Sequence, residues 1–231
     1  MPTLSRTLAL LLLVAACNRG EGVPPDSAPD ATTGGAASAA AVDPRVARAD
    51  SARIMGSPDA TVWVVDASDY QCPYCAQWHH GVFPALEREF ISTGRVRFAY
   101  VNFPISSHAH SMLAAEAAMC AGAQGKFWEY HDGLFDTQQQ WSPMADARPV
   151  FDSLATAVGL DLAAHRSCVD EHVMREMVRA DAARMDQAGV NSTPTFFVGD
   201  QLLLGAQPIE TFRAAISRAL AATGADTAAS R

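Results

Sequence analysis

The β-forming residues of this chain sit in two places far apart in the sequence, and that separation constrains the fold more than any other feature. Two runs, 61–66 and 96–103, precede Ser107, and two more, 195–198 and 201–204, follow Gln187. The stretch 107–187 between them reads as successive helices at 108–121, 126–135, 150–158, 161–169 and 171–188, punctuated by Gly122, Gly125 and Gly159. Strand 61–66, a helix over 72–92 and strand 96–103 form a βαβ unit, whose right-handed crossover makes the two strands parallel. Strand 61–66 lacks strict alternation, as a strand buried on both faces does. Phe83, Leu86 and Phe90 give the intervening helix an apolar face, and Pro84 predicts a kink in it. Residues 195–204 read as a hairpin turning at Gly199-Asp200. Asp43-Pro44 opens a first helix, running to about 53, and Pro208 a last one, to about 221. The fold class is therefore α/β, one domain over 43–222 with a helical block inserted at about 107–187.

Composition removes several function classes. Among 231 residues, 49% are hydrophobic, which argues against a mainly disordered chain. No apolar run approaches the roughly 18 residues of a membrane span, so a multi-span membrane protein is excluded. Seventeen basic against 25 acidic residues, without a Lys/Arg cluster, argue against nucleic acid as a partner. The five cysteines, an odd number, need individual accounts.

Residues 1–16 read as an export signal: Arg6, a short apolar stretch over 8–14, then small residues. The ending Val14-Ala15-Ala16-Cys17 resembles the lipobox of bacterial lipoproteins, which implies lipid on Cys17 and cleavage before it. Several acyl chains on one residue anchor stably where one would not. Ordinary signal cleavage near Ala16, with Cys17 incidental, is the other reading. Residues 17–42, rich in Ala, Pro, Ser, Thr and Gly, read as a flexible tether, and 223–231 as a disordered tail.

Cys72-Pro73-Tyr74-Cys75 lies where a strand gives way to a helix. The free N–H groups and dipole of a first turn stabilise a thiolate at Cys72 and lower its pKa. Spacing of two lets Cys75 resolve a mixed disulfide at Cys72, and Pro73 suits a first turn because it has no N–H to leave unbonded. This chemistry is dithiol–disulfide exchange, with Cys72 as the exposed nucleophile and Cys75 as the more buried resolving thiol. A structural disulfide, a zinc site drawing on His79, His80, His108 or His110, and Cu(I) binding by the same thiols are the competing readings. Two distant features favour exchange. Thr193-Pro194 precedes a β run, where a cis bond would leave the Thr193 backbone free to meet a substrate. Asp66 ends an apolar strand, where a carboxylate either serves proton transfer to Cys75 or caps a turn.

Together Asp66, Asp69-Tyr-Gln-Cys-Pro-Tyr-Cys75, Asn102-Phe-Pro104, Gly125-Lys-Phe-Trp128 and Gly189 to Val198 with Thr193-Pro194 resemble the DsbA-like family of the thioredoxin superfamily. The resemblance covers about 52–220. It implies a thioredoxin fold split by a helical domain and thiol–disulfide oxidoreductase activity on unfolded or partly folded exported proteins. It further implies catalytic roles for Cys72, Cys75, Pro194 and Asp66, and substrate contact at Pro73, Tyr74 and Thr193 by strand addition. A membrane redox partner would recycle the dithiol. No cofactor or metal is implied. Pro-Tyr stands between the cysteines where strongly oxidising members have Pro-His, and the motif leaves the direction of electron flow open. Oxidant is the reading adopted; reductase or isomerase, and a Cu(I)- or zinc-binding lipoprotein, are the alternatives. The expected location is the bacterial cell envelope, lipid-anchored and facing the periplasm or extracytoplasmic space.

Cys120 and Cys168 both fall near the ends of predicted helices and pair as a structural disulfide in an oxidising compartment; two separate buried thiols are the alternative. His79 and His80 read as helix-surface or packing residues. Phe127, Trp128, Tyr130, Phe135 and Trp141 read as the core of the helical block.

Overall fold

The computed structural model describes residues 43–224. Along the chain the elements are α1 (Pro44–Ala52), β1 (Ile54–Met55), β2 (Val62–Ser68), α2 (Pro73–Gly81), α3 (Phe83–Leu86), a π-helical turn (Glu87–Ile91) and β3 (Val96–Asn102). Six helices follow: α4 (Ser111–Gly122), α5 (Phe127–Asp136), α6 (Gln138–Trp141), α7 (Arg148–Ala157), α8 (Leu162–Asp170) and α9 (Arg175–Gln187). The chain then returns to the sheet with β4 (Thr195–Val198) and β5 (Gln201–Leu204) and closes with α10 (Ile209–Thr223). The signal, Cys17 and the tether lie outside the described residues.

The sheet runs β1-β3-β2-β4-β5, so β1 is separated from β2 and β3 from β4, and α4–α9 leave from β3 and return to β4. β2 is central, parallel to β3 and antiparallel to β4, with Asp66 opposite both Tyr100 and Phe196. One apolar core lies between sheet and helices, where the Trp78 indole meets Phe83, Phe98, Phe196 and Phe212 at centroid distances of 4.4–6.2 Å. A second core fills the helical block around Phe127, Tyr130, Leu134, Phe135, Trp141 and Phe151. It also takes in Tyr70, Cys72, Cys75 and Tyr100, while Trp128 packs against both cores. The strand-to-helix turn that carries the two cysteines is thus built into the seam between sheet and helical block.

Local chemistry explains most element ends. The Asp43 carboxylate accepts from the Arg45 N–H at 2.8 Å, capping α1, and Asp161 caps α8 through the Ala164 N–H. Pro84 does break the expected 72–92 helix: α2 stops at Gly81, a new start occurs at Phe83, and the last turn widens to π geometry. β2 differs from its expected burial on both faces, since Trp63 and Val65 are half-buried; the Arg97 guanidinium covers Trp63, 4.6 Å from a ring centre. The helix expected over 171–188 starts four residues later, because His172 adopts φ +54° after α8. α10 outruns its expected end at 221, reaching Thr223 with Gly224 as a left-handed cap, so the expected tail from 223 is corrected there. Cys120, near the end of α4, is bonded to Cys168 in α8.

α9 is fastened to the sheet by a buried carboxylate. Asp181 accepts from the Arg53 guanidinium, from the Asn102 side chain at 3.0 Å and backbone at 3.3 Å, and from Arg184 at 2.5 Å. Asp181→Ala leaves Arg53 buried with only the exposed Asp50 as a partner. The expected loss is about 3 kcal/mol, read from the urea midpoint, whereas Arg184→Ala, at the solvent end, should cost under about 1 kcal/mol.

Candidate active site

Cys72 is the N-cap residue of α2, extended at φ −72° and ψ 123°, with Pro73 at the first helical position. The helix therefore begins with its unpaired N–H groups around the Cys72 sulfur. The Cys72 pKa falls from 9.0 to about 6, chiefly because Cys75 donates its S–H to that sulfur, with the Thr193 side chain and the Cys75 and Tyr74 N–H groups adding to the effect against burial. Cys75, one turn on and 1% exposed, moves the other way: burial and the neighbouring Cys72 sulfur hold it well above 9.0. Both are free thiols, and Cys72, expected to be exposed, is itself buried, at 5%. One sulfur is suited to be a thiolate and leaving group, the other to stay protonated.

Three groups hold the turn in register. The Thr193 carbonyl lies 3.5 Å from Cys72 Sγ, immediately before the cis Thr193–Pro194 bond. Gln138 Nε2, from α6, donates to the carbonyls of Tyr70 at 2.7 Å and Cys72 at 2.9 Å. Asp69, fully buried, accepts from the N–H of Gln71 at 2.7 Å and of Ile105 at 2.9 Å, from the Ser111 hydroxyl, and pairs with His108 Nδ1 at 2.7 Å. Asp69 thereby ties the cysteine turn to the segment that enters the helical block.

Behind the cysteines, Asp66 is buried on β2, and its Oδ1 has no hydrogen-bond partner. Burial raises its pKa well above 3.8, which the Ser68 hydroxyl offsets and the Cys72 sulfur reinforces. A neutral Asp66 can carry a proton, and its charge disfavours a Cys75 thiolate. Pro73 and Tyr74 are exposed beside the sulfur, Tyr74 at 63%. Thr193 is half-buried and Pro194 buried. The structure thus brings Cys72, Cys75, Asp66, Pro73, Tyr74, Thr193 and Pro194 into one region and leaves Cys120 and Cys168 in the helical block.

Sequence reasoning missed Gln138 and the role of Asp69. Gln138 lies on the one-turn α6, too short to show periodicity, and nothing local marks it. Asp69 carried a signal, an Asx turn onto Gln71 ahead of the Cys72 cap. Among the described residues, two side-chain groups lie close enough to share a metal ion, His79/His131/Asp132 and His79/His80/Asp136, and neither contains a cysteine. His79, expected at the helix surface or in packing, is buried against Phe135 and Phe83.

The family model described as thioredoxin matches residues 48–218. The chain is 26% identical over 155 residues to disulfide bond formation protein D of Bacillus subtilis, covering 65% of this chain and 68% of that one. The crystal structure of oxidised BdbD from the same organism superposes with a TM-score of 0.67 at 26% identity, over 73% of this chain and 92% of that one. A 33% match over 175 residues, 75% of this chain, is to a Na(+)/H(+) antiporter, NhaA 1, of Salinispora arenicola. The chain spans about a quarter of the length of that protein, 26%.

The Cys72 environment makes a direct prediction. Alkylation of the reduced protein with iodoacetamide should follow a thiolate titration with a midpoint at about 6 at Cys72, with Cys75 unmodified under the same conditions. A pKa depressed from 9.0 in the unfolded chain stabilises the reduced fold fully above 9, and that stability is lost as pH falls through about 6. A midpoint near 9 would contradict the assignment.

Proposed function

The chain belongs to the thioredoxin family, in its DsbA-like branch, and on that footing we propose that it is a thiol–disulfide oxidoreductase that delivers disulfides to exported proteins. The observation that carries this reading is the opposite displacement of two sulfurs one turn apart, Cys72 down to about 6 and Cys75 up. Stabilising the Cys72 thiolate stabilises the reduced dithiol, and that makes the Cys72–Cys75 disulfide a stronger oxidant.

In the proposed cycle a client thiolate attacks Cys72 Sγ of the oxidised pair. A client–Cys72 disulfide forms, the Cys72–Cys75 bond breaks, and Cys75 leaves with the electron pair. Cys75 takes up a proton, with Asp66 as the buried donor. A second client thiolate then attacks the client sulfur and expels Cys72 as a stable thiolate. The client has lost two electrons to a disulfide, and the protein holds them as the reduced dithiol, which a membrane redox partner reoxidises. Extended client backbone aligns along Thr193, before Pro194, while Pro73 and Tyr74 form the exposed contact beside the sulfur. The Cys120–Cys168 pair takes no part and stays closed.

The cell-envelope location, with lipid on Cys17 and residues 17–42 as tether, belongs to the same reading and rests on the 14–17 motif. Equilibration of the protein with glutathione buffers tests the direction of electron flow. The oxidant reading expects a potential of about −120 to −180 mV, whereas a value toward about −270 mV would assign a reductase.

A further inference from the structure

A second chemically active cluster lies at the far end of α2, about 10 Å along the helix axis from Cys72. His79 and His80 occupy its last turn, and Asp132 and Asp136, one turn apart on α5, face them. His79 Nε2 is 3.6 Å from Asp132 Oδ1, and His80 Nδ1 is 3.7 Å from Asp136 Oδ1. One donor atom each from His79, His80 and Asp136 falls within 4.8 Å of the others, and the same holds for His79, His131 and Asp132.

These approaches are too long for hydrogen bonds, which run to about 3.2 Å for N–H···O. His79 is 8% exposed, its ring stacked on Phe135 at 4.7 Å, and its Nδ1 is buried without a hydrogen-bond partner. Such an imidazole is fixed in place yet unsatisfied, and that is costly unless something else engages the ring. The charge balance points the same way, because Asp132 has Asp136, Glu87 and Glu129 as like-charged neighbours. Among the described residues, Asp132 and Asp136 are ion-paired with the two histidines alone.

We propose that His79, His80 and Asp136 bind one divalent transition-metal cation of the zinc class, with Asp132 adding its charge beside them. Two imidazole nitrogens and a carboxylate oxygen, with water in the fourth position, are a donor set that tetrahedral zinc takes, whereas calcium and magnesium require more oxygens. With metal–ligand bonds of about 2.0–2.1 Å, tetrahedral donor atoms stand about 3.4 Å apart. The donor atoms of His79, His80 and Asp136 lie within 4.8 Å of one another, so the widest pair needs to close by at most about 1.4 Å. His80 and Asp136 are exposed enough to make that adjustment, while His79 is the rigid ligand. A cation here also meets the negative end of the α2 dipole. It would cross-link the helix that carries the cysteines to the helical block, independently of the redox chemistry.

The test uses the full chain carrying Cys17→Ser, with both remaining cysteine pairs oxidised so that no thiol competes. Titration with Zn²⁺ by calorimetry should give one ion per chain and a raised thermal midpoint. Co²⁺ in its place should give the intense visible bands of four-coordinate cobalt without sulfur-to-metal charge transfer. His80→Ala with Asp136→Ala, both at exposed positions, should weaken binding at least tenfold while disulfide exchange persists. No binding by the oxidised protein, binding that appears only on reduction, or unchanged affinity in the double variant would each overturn the proposal.

Discussion

The aim of the first turn of α2 at a single sulfur is the constraint on which the active region depends. Its N–H groups can stabilise Cys72 only while that residue stays an extended cap, one position outside the helix. A cap of this kind has few hydrogen bonds of its own. Groups from elsewhere supply them: the Gln138 amide to the Cys72 carbonyl, the Asp69 carboxylate to the turn before it, and the Thr193 carbonyl against the sulfur. Those groups come from the helical block, the β2–α2 turn and the segment just before β4. The inserted helices are therefore part of the active region. They hold the turn, and they supply the apolar core into which Cys75 is buried.

That burial produces the division of labour between the two sulfurs. Both cysteines leave the same helix turn, and an isolated peptide would give them similar thiols. Sinking Cys75 and Asp66 into the seam raises both their pKa values, while the Cys75 S–H, and to a lesser degree the helix amides, pull Cys72 down. The unpartnered Asp66 oxygen on a central strand costs stability, and the proposed proton exchange with Cys75 gives that cost a use. Stability is supplied elsewhere, through the Asp181 anchor of α9 and the Cys120–Cys168 bond between α4 and α8.

Much of this architecture is legible in the amino-acid sequence, for local reasons. The β2–α2–β3 unit, the 195–204 hairpin, the Asp43 cap and the break at Pro84 follow from patterns a few residues long, and all are seen. Cys72 at a helix start needs only the strand, the Pro73 and the spacing to Cys75. The features that the sequence conceals have long-range causes. β1 is two residues long and exists because β3 offers an edge to pair with. α6 and its Gln138 act across 66 residues of chain. The His79–Asp132 and His80–Asp136 approaches depend on how α2 and α5 cross, which no spacing within either helix encodes.

The most direct test is a single turnover. The protein, fully oxidised, is mixed at equal concentration with a reduced, unfolded reporter containing two cysteines, and thiols are then counted site by site by alkylation and mass spectrometry. The account predicts that the reporter gains a disulfide while Cys72 and Cys75 become thiols and Cys120–Cys168 remains bonded. A reporter left reduced, with the Cys72–Cys75 disulfide intact, would contradict it.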